Sequence, residues 1–535
     1  MAAPSYTTDL SGQTLTSADA ITGFGEPTAT GWTAGAANPQ NQTECFIQGN
    51  ASVSKTYNAT GVGGMAFNNG SGVTIPTDGA FTCWGYWASP NALDTEANGG
   101  LRLIIGNSLA DFYGYIVGGP NTNYQYGGWL NFAINPTVTP DYTAGSPTGT
   151  WQYFGFIVKA LAAISKGEPY AVDAMRYGRC EARIAGGETS NYATFAGFAT
   201  QNDNSSNRWG LIQGVAGGFL WKGLMTLGYG SAVDFRDANA MVLIENTNRV
   251  TANFNKIEIR QSGSRVDWTS ISFLALGTVA KGNFEVVDDC DVNISNCVFT
   301  GMGTFIFKAS SAVLDSTFRR CGLITANGAS FLGTLFEGYE GSSDSSYLVW
   351  DVNTDPDNYL SGCTFVKGAA STHAITFGTN LTLSSYTIHN ATFTGYNASD
   401  GQTDSAIYVA RTNGSVTINL INCSGNLKYK SAGATVTIVT SAVTVKQTVK
   451  GLDTGNAING ARVRLMRVLD DSVVLAGTTD VNGVLQDTGY SYTGDEAVYG
   501  WVRYASAPPY YKEAALSGSI GENGYDNTVL MIPDQ

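Results

Sequence analysis

The sequence predicts an all-β fold, and three observations predict it. Only 13% of residues are charged while 65 of 535 are glycine, a mixture that favours short strands and tight turns over helices. Helical windows rich in Leu, Lys and Glu are almost absent. A six-residue pattern ending in phenylalanine recurs through the middle of the chain. These features order the chain as a β-sandwich, a stacked repeat and a second β-sandwich, and its length exceeds that of one ordinary core.

Residues 1–40 are polar and weakly periodic, and read as an N-terminal arm or a short anchoring segment. From 41 to 200, short apolar strands alternate with Gly/Asn turns. "GAFTCWGYWAS" (Gly79–Ser89) sets Phe81, Cys83, Gly85 and Trp87 on one face against Trp84 and Tyr86 on the other. "GTWQYFGFIVKA" (Gly149–Ala160) alternates Trp151, Tyr153 and Gly155 against Gln152, Phe154 and Phe156. Two aromatic strands with hairpins between them suit a jelly-roll-like β-sandwich. Trp84, Tyr86 and Trp87 form a candidate sugar-stacking platform; the competing reading, which we favour, puts at least two of them in the sandwich core.

The repeat lies within residues 201–440. "ISNCVF" (Ile294–Phe299) aligns with "VLDSTF" (Val313–Phe318), "FLGTLF" (Phe331–Phe336), "LSGCTF" (Leu360–Phe365) and "IHNATF" (Ile388–Phe393), with "LINCSG" (Leu420–Gly425) as a weaker copy. The first column, Ile294 among it, is apolar. The third (Asn296, Asp315, Gly333, Gly362, Asn390) holds residues that tolerate left-handed backbone angles. The fourth (Cys297, Ser316, Thr334, Cys363, Ala391) is small. The sixth is Phe299, Phe318, Phe336, Phe365 and Phe393. Such spacing matches courses of a parallel β-helix, with a left-handed corner between strands and phenylalanines stacked inside. "GGFLWKGLMTLGYG" (Gly217–Gly230) is expected to cap this array or lead into it.

Residues 441–535 carry "GARVRL" (Gly460–Leu465), with alternating Val463 and Leu465, and the turn "TDVNG" (Thr479–Gly483). This segment resembles transthyretin-like, carboxypeptidase-regulatory β-sandwiches, modules that usually bind or space. The 41–200 segment resembles concanavalin-like lectin domains through its Trp-rich strands. The repeat resembles the pectate-lyase-like, right-handed β-helix superfamily. The run of Asp and Arg that carries calcium and base in the pectate lyases has no counterpart here.

The chemistry-bearing residues are few. The formal net charge of −14 disfavours nucleic acid, because the chain would repel phosphate. No apolar stretch is long enough for a membrane span. The opening "MAAPSYTTDL" has no basic n-region or apolar run, so no cleaved signal peptide is expected. Eight scattered cysteines without a C-x-x-C pair, and two histidines, predict no metal site and no cofactor. Cys297 shares its column with Ser, Thr and Ala and is read as a packed position, not a nucleophile. For hydrolysis, which needs two carboxylates, the candidate acids lie in the longest insertion: Glu337, Glu340, Asp344 and Asp351, followed by Asp355 and Asp357. Acids in Gly/Ser/Asn loops are more often solvated turn residues, so no catalytic residue is expected.

Together the modules resemble bacteriophage virion proteins of the tail-fibre, tailspike or head-decoration kind. That resemblance implies a non-enzymatic structural protein, assembled in the host cytoplasm onto the virion exterior and contacting other capsid or tail proteins. It also implies a homo-oligomer, with a trimer favoured, and host polysaccharide as a further partner. The alternatives are a tailspike depolymerase and a cell-surface adhesin.

Overall fold

The computed structural model describes residues 2–13, 21–28, 31–34, 40–56, 61–87, 100–118, 128–160, 169–204, 208–245, 249–378, 383–492, 495–521 and 523–534. The described chain is all-β and divides into two compact units, Met1–Ser311 and Ala312–Gln535. The division falls inside the segment marked by the repeat.

In the first unit, two sheets enclose one core. An antiparallel sheet runs from Tyr142–Ala144 through Phe112–Gly118, Leu101–Gly106, Trp151–Ala160 and Gly61–Val73 to Ile21–Thr28 and Gly31–Ala34. Facing it are Trp129–Ile134, Ala80–Trp87 and the long strand Pro169–Ala185. Phe81, Cys83, Phe132, Tyr170 and Val172 from one sheet meet Met65, Leu103, Phe154 and Phe156 from the other. A Cβ on Gly85 would lie 2.4 Å from the Phe156 ring, so this position requires glycine where the sheets close. Trp151 joins the same core as Phe154 despite its odd spacing, at a point where the register with Gly61–Val73 breaks between Trp151 and Tyr153.

Ser5–Gln13 is a strand paired antiparallel to Pro169–Ala185. That long strand also begins the stacked array, pairing Glu181–Ile184 in parallel with Leu224–Leu227. From there the chain visits three parallel sheets in turn. Leu224–Leu227, Lys256–Ile259, Asn283–Val286 and Phe305–Ile306 form one. Asp234–Ala238, Arg265–Thr269 and Asp291–Ser295 form another. Gly218–Trp221, Met241–Ile244, Ser272–Ala275 and Val298–Thr300 form the third. "GGFLWKGLMTLGYG" thus supplies two strands of the first course. A helix the sequence reading missed, Phe195–Asn202, is capped by the Thr194 hydroxyl accepting from the Gly197 N–H at 3.0 Å. Its Phe195 packs on Phe219, Phe235, Trp268 and Phe273.

The second unit repeats this three-sheet register. Thr317–Arg319, Leu335–Glu337, Thr364–Val366 and Thr392–Thr394 stack in parallel, as do Ser346–Trp350, His373–Phe377 and Ile407–Val409. Phe318, Phe336, Phe365 and Phe393 form a continuous stack with centroids 5.5, 4.8 and 5.3 Å apart and planes within 8°. In the first unit Phe299 stacks on Phe273 at 5.2 Å. Asn296, Asp315, Gly333, Gly362 and Asn390 all have φ between 45° and 71°, as the third column requires.

The fourth column is more than small. The side chains of Cys297, Ser316 and Thr334 each donate to the carbonyl two residues back, on Ser295, Leu314 and Leu332 at 3.4, 2.8 and 3.3 Å. On Ser295 and Leu332 this is a second bond, added to one from the backbone N–H groups of Ser270 and Asp315, both at 2.9 Å. Burial pushes the Cys297 thiol up to about 11, the reverse of what a nucleophile needs.

Thr435–Gly451 leaves the array and enters a terminal sandwich, pairing with Ser415–Ile421, Val484–Ser491 and Tyr525–Met531. Val463 and Leu465 are buried in its core with Val445, Val502 and Ile520. The "TDVNG" turn closes as Asp480 accepts from the Asn482 and Val484 N–H groups, both at 2.9 Å. Buried Thr479 donates to the Ile458 carbonyl and accepts from the Ala461 N–H.

Candidate functional site

The acids anticipated from sequence lie in the second unit, and most of them tie one course to another. Glu337 sits opposite Arg319 in register and pairs with it at 2.8 Å. Glu340 accepts from the backbone N–H groups of Ala369 and Ala370 at 2.9 and 3.2 Å. Asp344 accepts from the Lys430 ammonium at 2.6 Å, which holds its carboxyl below the usual range. Beside it, fully buried His373 stacks on Tyr408 and donates from Nδ1 to the Ser405 carbonyl at 2.6 Å. A carbonyl can only accept, so Nδ1 carries the proton. Burial keeps the ring neutral, and its Nε2 stands 3.4 Å from Asp344.

Asp351, Asp355 and Asp357 differ. Asp355 caps the short turn Pro356–Asn358 and accepts from the Thr387 N–H at 2.7 Å, a structural role. Asp351 has a buried Oδ1 with no hydrogen-bond partner. Burial raises the Asp357 carboxyl above its ordinary value, although His389 Nδ1 lies 2.5 Å away. Of the acids in this insertion, Asp357 is the one whose surroundings favour the protonated form, and Asp351 is set apart only by its unpartnered oxygen.

Trp84 is not available to an aromatic platform. Trp84 is fully buried against Ile47, Trp129, Ala171 and Ala174 and donates from Nε1 to the Arg208 carbonyl at 3.0 Å. No face of it remains for a sugar. Tyr86 is half-buried against Trp129, and the side chain of Trp87 lies outside the described residues. Ile294, Cys297, Phe299, Phe318, Phe336, Phe365 and Phe393 are all buried, as the repeat demands.

A feature the sequence did not announce is a cleft of about 390 Å³ in the first unit. Its floor is the outward face of the sheet carrying Leu224, Lys256 and Asn283 in one register, and Thr226, Glu258 and Glu285 in the next. Lys256 bridges Glu258, at 2.8 Å, and Glu285; Arg260 also holds Glu258, at 2.7 Å. Burial pushes Glu258 up, but these hydrogen bonds more than offset it and its carboxyl sits below the ordinary range. Asp78 and Arg179, paired at 3.0 Å, close one side, while Asn253, Asn283 and Thr304 line another part. Glu181, almost fully buried, accepts from Thr226 at 2.5 Å and pairs with Arg179 and Arg183. With Glu258 held ionised by its cations, the cleft suits binding better than proton donation. Among the described residues, no group of three or more His, Cys, Asp or Glu is arranged to hold a metal ion.

Fold and site together define an all-β protein with stacked parallel courses and a polar surface cleft. No family model and no curated protein matches the chain. Solved structures aligned to it include the catalytic domain of a GH87 alpha-1,3-glucanase in complex with nigerose, with 14% identity, TM-score 0.18, and 80% of this chain and 86% of that one covered. A substituted form of a GH87 alpha-1,3-glucanase catalytic domain in complex with tetrasaccharides aligns at 10% identity and TM-score 0.18, covering 79% and 97%. At that score the likeness carries neither fold nor activity to this chain.

Proposed function

We propose that the protein is a non-enzymatic structural protein of a bacteriophage virion exterior, presenting rigid β-modules to solvent and to host glycans. The observation that carries this reading is the commitment of Glu337, Glu340, Asp344 and Asp355 to ties within and between courses. Side chains fixed in this way stiffen a stacked array; they do not hold a proton in readiness for a glycosidic oxygen. On this reading the courses form a right-handed β-helix, assembled as a trimer in the host cytoplasm and attached to capsid or tail proteins. Quantitative mass spectrometry of purified particles tests the placement. A fixed copy number per particle supports it, and absence from particles overturns it.

A second reading, a polysaccharide depolymerase, draws on Asp351 and Asp357. Asp357 keeps its proton to a higher pH than an ordinary aspartate and lies beside His389, while Asp351 has an unpartnered buried oxygen. New reducing or unsaturated ends on host polysaccharide, lost in Asp357→Asn, would establish that reading in place of the first.

A further inference from the structure

We propose that the cleft bounded by Asp78, Lys256, Glu285 and Thr304 is a binding subsite for a neutral oligosaccharide. This rests on the reading that the protein contacts glycans and gives that contact a location. The volume of about 390 Å³ falls within the range of small-ligand sites.

The chemistry of the lining selects the ligand. Three carboxylates (Asp78, Glu258, Glu285) and two cations (Arg179, Lys256) line the cleft, Arg260 holds Glu258 from beside it, and each of these cations is already paired with a carboxylate. An acidic sugar would therefore meet lining carboxylates and cations that are already committed to them. A hydroxyl-rich neutral ligand meets no such penalty, because each of its O–H groups both donates and accepts.

The groups left for such a ligand are held in place. Asn283 Oδ1 accepts from the Thr304 N–H at 2.9 Å, and its Nδ2 donates to Asn253 Oδ1 at 3.0 Å. These bonds turn the Asn253 amide nitrogen and the Thr304 hydroxyl lone pairs into fixed donor and acceptor positions. Glu285 and Asp78 each meet their cation through one oxygen, Oε2 and Oδ2, leaving the second to accept from a sugar hydroxyl. Ile306 and Leu224 supply apolar surface for a sugar's C–H face. A site with preset hydrogen-bonding groups loses little entropy on binding.

The test is calorimetric titration of the full chain with maltoheptaose, a dextran oligosaccharide and chitohexaose, and with an alginate hexasaccharide as acidic comparator. Asn253 and Thr304 are exposed, so Asn253→Ala and Thr304→Tyr leave the fold intact, which unchanged thermal melting verifies. The proposal expects a neutral oligosaccharide to bind more tightly than alginate, with affinity reduced about tenfold or more in both variants. Unchanged affinity in both variants overturns the location while leaving glycan contact standing elsewhere. Preference for alginate, or no binding of any neutral probe, overturns the proposal. None of these outcomes bears on whether the protein is found in purified particles, so the broader reading fails or survives independently.

Discussion

Truncating Phe336 to alanine probes the stacked array at its centre. Its ring is fully buried between Phe318 at 5.5 Å and Phe365 at 4.8 Å, with Phe331 and Tyr347 both 5.7 Å away. Removing roughly 150 Å² of buried apolar surface at about 25 cal/mol per Å² costs about 4 kcal/mol. Lost ring–ring contacts and the residual cavity keep the total in the range of about 3–5 kcal/mol. Because each course rests on its neighbours, the loss extends to the courses carrying Phe318 and Phe365. Hydrogen exchange followed by mass spectrometry, read peptide by peptide, measures it. Amides at Thr317–Arg319 and Thr364–Val366 should lose protection along with those at Leu335–Glu337. Glu337→Ala, which removes only a surface ion pair, should cost at most about 1 kcal/mol. Equal effects of the two substitutions, or a Phe336→Ala loss below about 1 kcal/mol, would refute the stacking argument.

Other consequences follow from single positions. Asn390 has φ 56°, so Asn390→Gly should be close to neutral and Asn390→Val should lower the unfolding free energy measured in urea by about 1–2 kcal/mol. Thr334→Val deletes a second donor to the Leu332 carbonyl, which keeps its bond from the Asp315 N–H at 2.9 Å, and should cost about 0.5–1.5 kcal/mol, whereas Cys297→Ser keeps its donor and should leave fold and binding intact. Glu258 has a depressed folded value, so its stabilisation is present above the ordinary Glu range and lost as pH falls through the folded value; Glu258→Gln should flatten that acid limb of urea midpoint against pH. His373 is likewise lowered, in its case by burial of a neutral ring, so stability falls as pH drops through the ordinary His range, and His373→Gln should weaken that dependence.

The repeat was legible because every course presses the same demands onto the same columns. A corner needs a residue that accepts positive φ, and the interior needs a flat ring at one spacing, so Asn296 and Phe299 could be read from their sister positions. The terminal turn at Asp480 was legible for the same local reason. What lay hidden depends on partners distant in sequence. Trp84 reads as an outward residue because Phe81 and Cys83 face the sandwich core, yet the outer face of that sheet is buried too, against Ile47 and Trp129. Ser5–Gln13 carries no apolar alternation, and its pairing is supplied by a strand some 170 positions later. The cleft had the weakest trace. "KIEI" shows strand alternation, but its meaning comes from stacking Glu258 on Glu285 and from Asp78 and Arg179, which approach from elsewhere in the chain. Among the acids, sequence supplied the neighbourhood while burial decided the ranking: Asp357 and Asp351 stand apart from Glu337, Glu340 and Asp344 only once their partners are known.

Binding without cleavage is the central claim, and one paired measurement addresses it. Purified protein is incubated with the host's surface polysaccharide; retention on the immobilised polymer and release of reducing or unsaturated ends are followed in the same samples. The account predicts retention with no new ends over prolonged incubation, unchanged in Asp357→Asn. Ends that accumulate with wild-type protein and disappear in Asp357→Asn would contradict it.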